Sequence, residues 1–123
     1  MKSARMRRVD EAVREVLADA IPRCVKDPRV GFVTVTDVNT SPDLRHAQVF
    51  VSVLGDEDAR SGCLDGLTSA HGVLQREVGR SLRMKRTPTL TFHVDETALR
   101  AARLQALIEQ HPPTGDDDAE PTA

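Results

Sequence analysis

Two neighbouring stretches decide the fold: Val30 to Val38 reads VGFVTVTDV, and Leu44 to Leu54 reads LRHAQVFVSVL. The first is rich in β-branched side chains and too short and bulky for a good helix, so it predicts a strand. In the second, Ala47, Val49, Val51 and Val53 line one face, while His46, Gln48, Phe50 and Ser52 line the other. That alternation predicts a half-buried strand. Only Asn39-Thr40-Ser41-Pro42-Asp43 lies between them, a connection short enough to make an antiparallel hairpin the default.

Upstream, Val9, Val13, Val16, Leu17 and Ala20 recur at helical spacing and predict a helix over residues 5–21 that Pro22 ends or bounds. Lys26-Asp27-Pro28-Arg29 is turn chemistry. Downstream, Gly55 breaks the strand and Asp56-Glu57-Asp58 opens a helix, where acids suit the positive end of the helix dipole. Cys63, Leu64 and Leu67 make one apolar stripe, and Val73, Leu74, Val78 and Leu82 make another. Ala70-His71-Gly72 sits between them, and a glycine inside a helix costs about 1 kcal/mol relative to alanine, so two helices meeting at an angle are expected. Pro88 leads into a third strand over Thr89 to Val94, with Leu90, Phe92 and Val94 on one face. Asp95 suits the N-cap of a last helix to about Glu109, carrying Leu99, Leu104, Leu107 and Ile108. The order is α-β-β-α-(kink)-α-β-α. Three short strands need helices over at least one face, which predicts an α+β domain with a three-stranded sheet covered by helices.

Composition narrows the function. The chain has 123 residues, a length that favours one domain. Aromatic residues are 2%, three Phe with no Tyr or Trp, which argues against an aromatic platform that stacks single-stranded bases. No apolar run is long enough to span a membrane, and the basic N-terminus is followed by no apolar stretch of a secretory signal, so the cytoplasm is the default compartment. Cys24 and Cys63 form no CxxC pair and read as buried thiols. There is no G-x-S-x-G elbow and no G-x-x-x-x-G-K-S/T loop, and His46, His71, His93 and His111 lack metal-ligand spacing, so neither catalytic, metal nor cofactor sites are expected.

Charge is segregated. Net charge is −2, but Asp116, Asp117, Asp118 and Glu120 lie in the last twelve residues, where no base stands. Without them 17 basic residues face 15 acidic ones. Residues 1–111 therefore read as the folded domain, and residues 112–123 as an acidic disordered tail. Lys2, Arg5, Arg7 and Arg8 precede any acid, and Arg76, Arg80, Arg83, Lys85 and Arg86 face Glu77 alone. Such clusters are the footprint of a polyanion partner, and on composition they fit a solvated helix face equally well.

The element order is that of the KH fold in its bacterial arrangement, and the residues resemble the ribosome-binding factor A family. The likeness rests on RRVDEAVREVLADAI at 7–21, KDPRVGFVTVTDVNTSPDLRHAQVFVSVLG at 26–55, the Ala70-His71-Gly72 break, and LRMKRTPTLTFHVDET at 82–97. It implies a single KH-like domain without enzymatic activity. The implied role is binding the precursor small (30S) ribosomal subunit and its 16S rRNA and promoting late maturation, notably in the cold, as a monomer and with assembly GTPases as further partners. Ordinary KH domains clamp single strands with a Gly-x-x-Gly loop. Ala70-His71-Gly72 stands there instead, which implies contact with structured RNA by charge and shape.

With Ser69 to Arg86 read as one kinked helical unit, Arg76, Arg80 and Arg83 share a face, and guanidinium groups suit phosphate. Lys85 and Arg86 extend this cluster, with Ala70, His71 and Gly72 beside it. Arg5, Arg7, Arg8, Lys26, Arg29 and Arg45 are secondary candidates, although Arg7 and Arg14 suit pairing with Glu11 or Glu15 equally well. The alternative reading is a docking module whose basic face meets an acidic protein.

Overall fold

The structure, a computed structural model, describes residues 2–110. It contains α1 (Ala4–Cys24), β1 (Val33–Thr40), β2 (His46–Val53), α2 (Glu57–Ser69), α3 (His71–Leu82), β3 (Thr89–Val94) and α4 (Glu96–Gln110). The acidic tail predicted over residues 112–123 lies outside the described residues, as does His111.

The sheet order is β1-β2-β3, with β1 and β2 antiparallel and β2 and β3 parallel. Ala47 lies beside Leu90 and Val49 beside Phe92, so the alternating apolar residues of neighbouring strands fall on one face. Helices cover that face. Val13, Leu17 and Ala20 of α1, Cys63 and Leu67 of α2, and Leu74 and Val78 of α3 are fully buried in one core with Val49, Val51 and Phe92. The opposite face stays open: Thr34, His46 and Thr91 are exposed, and Phe50 and His93 stack there with ring centroids 5.3 Å apart.

Several expected boundaries move, each for a physical reason. α1 does not stop at Pro22 but continues to Cys24, and the Val25 N–H closes its last turn on the Ile21 carbonyl. Proline removes one helical hydrogen bond, the one to the Ala18 carbonyl. Ala18 and Pro22 line an open groove here, so that carbonyl is not sealed in the core. β1 begins at Val33 rather than Val30, because the Val30 N–H closes a turn on the Asp27 carbonyl. It also takes in Asn39 and Thr40, expected in the connection, which pair with Gln48 and Ala47. The helix break falls at Ala70 (φ −92, ψ 6), while His71 and Gly72 are already the first residues of α3. Ala70 adopts a backbone conformation open to any residue, so glycine is not what breaks the helix. α3 ends at Leu82 rather than running to Arg86, with Arg83 as a left-handed cap at φ 52. Cys63 is buried as expected, but Cys24 is only half-buried. The last helix forms over nearly the predicted span, yet none of its residues is buried and Leu104, Leu107 and Ile108 are exposed.

Candidate nucleic-acid interface

α3 positions the arginine cluster. Leu74 and Val78 point into the core, and Arg76 lies two residues from each, on the opposite side of the helix. Arg76, Arg80, Arg83, Lys85 and Arg86 are all exposed. They do not share one state. Arg80 pairs with Glu77 at 2.7 Å, and Glu77 also receives Arg23 at 3.0 Å. The two guanidinium groups hold the Glu77 carboxyl below its usual range, with Arg23 the larger influence. Among the described residues, Arg76, Arg83, Lys85 and Arg86 have no carboxylate within 4.0 Å.

Tertiary packing brings part of the basic N-terminus to this surface. Arg5 and Arg8 of α1 line a shallow cleft with Leu82 and Met84, where α3 gives way to its exit loop. α1 is fixed there because the Asp10 carboxylate accepts the Thr40 N–H at 2.8 Å and also binds the Lys2 ammonium. Arg7 donates to the Lys2 carbonyl rather than to Glu11, while Arg14 takes Glu11. Arg45 arrives at the same end through the sheet: its carbonyl accepts the Thr89 N–H at 2.8 Å, next to the loop that carries Lys85 and Arg86. Its side chain lies 3.9 Å from Asp43.

The other candidates sit at the far end of α3, about 18 Å away at 1.5 Å per residue. There the Asp27–Val30 turn packs on α2, and a Cβ added at Gly66 would meet Val30 Cγ2 at 2.5 Å. Arg29 is held by Asp27 at 2.6 Å and reaches Ser69 Oγ at 3.5 Å, beside the break at Ala70. The Arg29 side chain and N–H hold the Asp27 carboxyl down at about 2. Lys26 stands at the start of the same turn, exposed. His71 is exposed, with Nδ1 2.8 Å from the Thr68 carbonyl. Gly72 borders open space.

The candidates therefore form two groups. Arg5, Arg8, Arg45, Arg83, Lys85 and Arg86 surround one end of α3, and Lys26, Arg29, Ala70, His71 and Gly72 surround the other. The outward face of α3, with Arg76 and Arg80, runs between them. Two bases outside the sequence-derived set, Arg100 and Arg103, are exposed on α4. Their signal was weak, because they stand alone among apolar residues. Among the described residues no group of three His, Cys, Asp or Glu side chains is placed to hold a metal, and no helix is long and apolar enough to cross a membrane. The arrangement presents guanidinium and ammonium groups at the surface, which suits phosphate contact.

An α+β domain with a three-stranded sheet, one helical layer and a helix-break-helix between its parallel strands is a KH-like domain, here with a basic surface along the second helix of the pair. The family model for ribosome-binding factor A matches residues 5–108, and the chain belongs to that family. Solved structures agree. The crystal structure of ribosome-binding factor A from Thermus thermophilus is 29% identical, with a TM-score of 0.65 over 72% of this chain and 94% of that one. The solution structure of a putative ribosome binding factor A from Thermotoga maritima is 28% identical, with a TM-score of 0.68 over 76% of this chain and 89% of that one. A homology-based Thermus thermophilus ribosome binding factor A, fitted into the cryo-EM map of a 30S complex, is 30% identical, with a TM-score of 0.61 over 72% of this chain and 92% of that one.

Proposed function

We propose that this protein binds the precursor small (30S) ribosomal subunit through its 16S rRNA and promotes late maturation of that RNA, without catalysing a reaction. The outward face of α3, its exit loop and the neighbouring start of α1 are the contact surface. The observation that carries this reading is the distribution of unpaired bases. Among the described residues, acids neutralise Lys2, Arg14, Arg23 and Arg29, yet leave Arg5, Arg8, Arg76, Arg83, Lys85 and Arg86 without a partner. The complex of a 30S subunit with the similar Thermus thermophilus factor supports the same partner here. Family membership supports action in the cytoplasm as a monomer, a role in the cold, and assembly GTPases as further partners.

The test is co-sedimentation with purified small subunits. Arg76→Glu with Arg86→Glu removes two surface bases that have no acid partner, so the fold survives while affinity falls at least about tenfold. About five phosphate contacts predict a slope of log affinity against log salt of about −4. Undiminished binding by a folded double variant at matched salt overturns the placement of the surface. Binding that survives RNA digestion points instead to an acidic protein partner.

A further inference from the structure

We propose that the cleft between α1 and the exit of α3 takes up a single unpaired base of the bound RNA, with Arg5 and Arg8 on the flanking phosphates. The inference rests on the reading of the basic surface as an RNA-binding site, and it adds what part of the RNA that site selects. The cleft measures about 290 Å³ and is lined by Arg5, Arg8, Val9, Ala12, Leu82 and Met84. Its four α1 residues stand at i, i+3, i+4 and i+7, so they form one stripe of the helix. Val9, Ala12, Leu82 and Met84 are all half-buried, which leaves an apolar floor open to solvent. Arg5 and Arg8 are exposed beside it, without an acid partner among the described residues. Arg83, in the same state, stands between Leu82 and Met84 in the chain.

Two backbone features hold this floor in place. Arg83 adopts a left-handed conformation (φ 52), which a non-glycine residue keeps only when its surroundings impose it. The reversal turns the Met84 N–H back onto the Gly79 carbonyl at 3.0 Å, and the Met84 side chain joins Val9 and Ala12 in the cleft. Gly79 permits this: a Cβ there would meet Thr87 Oγ1 at 2.5 Å, so the exit loop closes onto a helix position without a side chain. Phosphates gain nothing from four apolar side chains, so phosphate contact alone does not account for the floor. The face of a base does, because apolar side chains and a thioether pack on a ring and guanidinium planes stack on it. A base inside a duplex cannot enter, since stacked neighbours cover its faces. At the lower limit of ligand pockets, about 300 Å³, the cleft holds one base rather than a row of them. No aromatic residue is required, unlike a stacking platform. Apart from the guanidinium groups the lining offers no side-chain hydrogen bond, so the cleft selects an unpaired base whatever its identity.

The test compares two RNA hairpins with the same number of phosphates, one fully paired and one carrying a single bulged adenine, at matched salt. The full chain should bind the bulged hairpin about tenfold tighter, within the range for stacking one base. The Met84 methyl resonance, one of three methionines, should shift upfield by ring current with the bulged hairpin and stay in place with the paired one. Ala12→Phe fills the cleft without changing charge, so it should abolish the preference and keep the affinity for the paired hairpin. Met84→Gln removes one end of the floor and should reduce the preference as well; it carries the comparison if Ala12→Phe does not fold. Arg5→Gln with Arg8→Gln should weaken both hairpins alike. Equal affinity of the full chain for the two hairpins overturns the proposal and leaves the proposed function standing. A preference that persists in the folded variants, or an unmoved Met84 methyl, places the base elsewhere and also overturns it. Subunit binding that survives RNA digestion and is lost in Ala12→Phe assigns the cleft to a protein partner and overturns it too. Absence of binding to either hairpin does the same, and co-sedimentation with small subunits then decides the proposed function separately.

Discussion

Gly62 and Gly66 stand one turn apart on α2 and face different neighbours. A Cβ at Gly66 would lie 2.5 Å from Val30 Cγ2, and one at Gly62 would meet nothing closer than 3.9 Å. Gly66→Ala should therefore destabilise the protein by about 1–3 kcal/mol through overpacking. Gly62→Ala should stabilise it by about 0.5–1 kcal/mol through helix propensity. Urea unfolding of the two variants checks both signs. Asp27 gives a pH prediction on the same turn. Its folded carboxyl titrates at about 2, below the ordinary aspartate value of about 4, so the ion pair with Arg29 contributes above pH 4 and is lost as pH falls towards 2. Asp27→Asn should flatten the stability profile in that window, as thermal melts at stepped pH will show. The left-handed Arg83 belongs to this scale too. Nothing in its neighbours Leu82 and Met84 signals that the helix stops there, because non-glycine residues adopt that conformation only when their surroundings impose it.

Elements are held by a few polar straps. The Thr40 N–H points away from the ladder, at the free edge of β1, and Asp10 on α1 accepts it. The Val38 N–H is likewise satisfied by Asp37. These carboxylates blunt part of an edge that would otherwise template another strand. Asp10→Ala should cost about 1–3 kcal/mol, the range for leaving a buried donor unsatisfied, and Asp10→Asn less, because an acceptor remains. A shift in the urea midpoint with unchanged slope is the expected readout. α4 behaves in the opposite way. Its apolar periodicity predicts a helix but not a burial partner. Leu104, Leu107 and Ile108 are 59%, 56% and 45% exposed, so replacing all three with Gln should leave stability within about 0.5 kcal/mol. Loss of several kcal/mol would show that this face is covered in solution.

At the scale of the whole molecule, the relevant property is where uncompensated charge ends up. The net charge of −2 conceals it, since α1 and the α3 exit bring residues about 75 positions apart in sequence to one cleft. The proposed subunit binding therefore depends on the fold as well as on composition. Charge reversal at Arg76 and Arg86 should abolish most of it, whereas reversal at Arg29, already engaged by Asp27, should cost about a single phosphate contact. Competition binding to purified small subunits separates the two.

Strand alternation at Ala47, Val49 and Val51, the stripe at Val13, Leu17 and Ala20, the acids of Asp56-Glu57-Asp58 that open α2, and the capping Asp95 were legible in the sequence, because periodicity and helix-end chemistry are local properties. So was the presence of basic clusters. The pairing partners were not. That Arg80 shares Glu77 with Arg23, that Asp10 rather than a turn residue secures Thr40, and that Arg5 meets Leu82 and Met84 all follow from contacts between distant segments. The same holds for the strand order and for the exposed face of α4. Backbone geometry and amphipathic spacing are written residue by residue, but which charge is neutralised and which is left free is decided only when separate elements pack against one another.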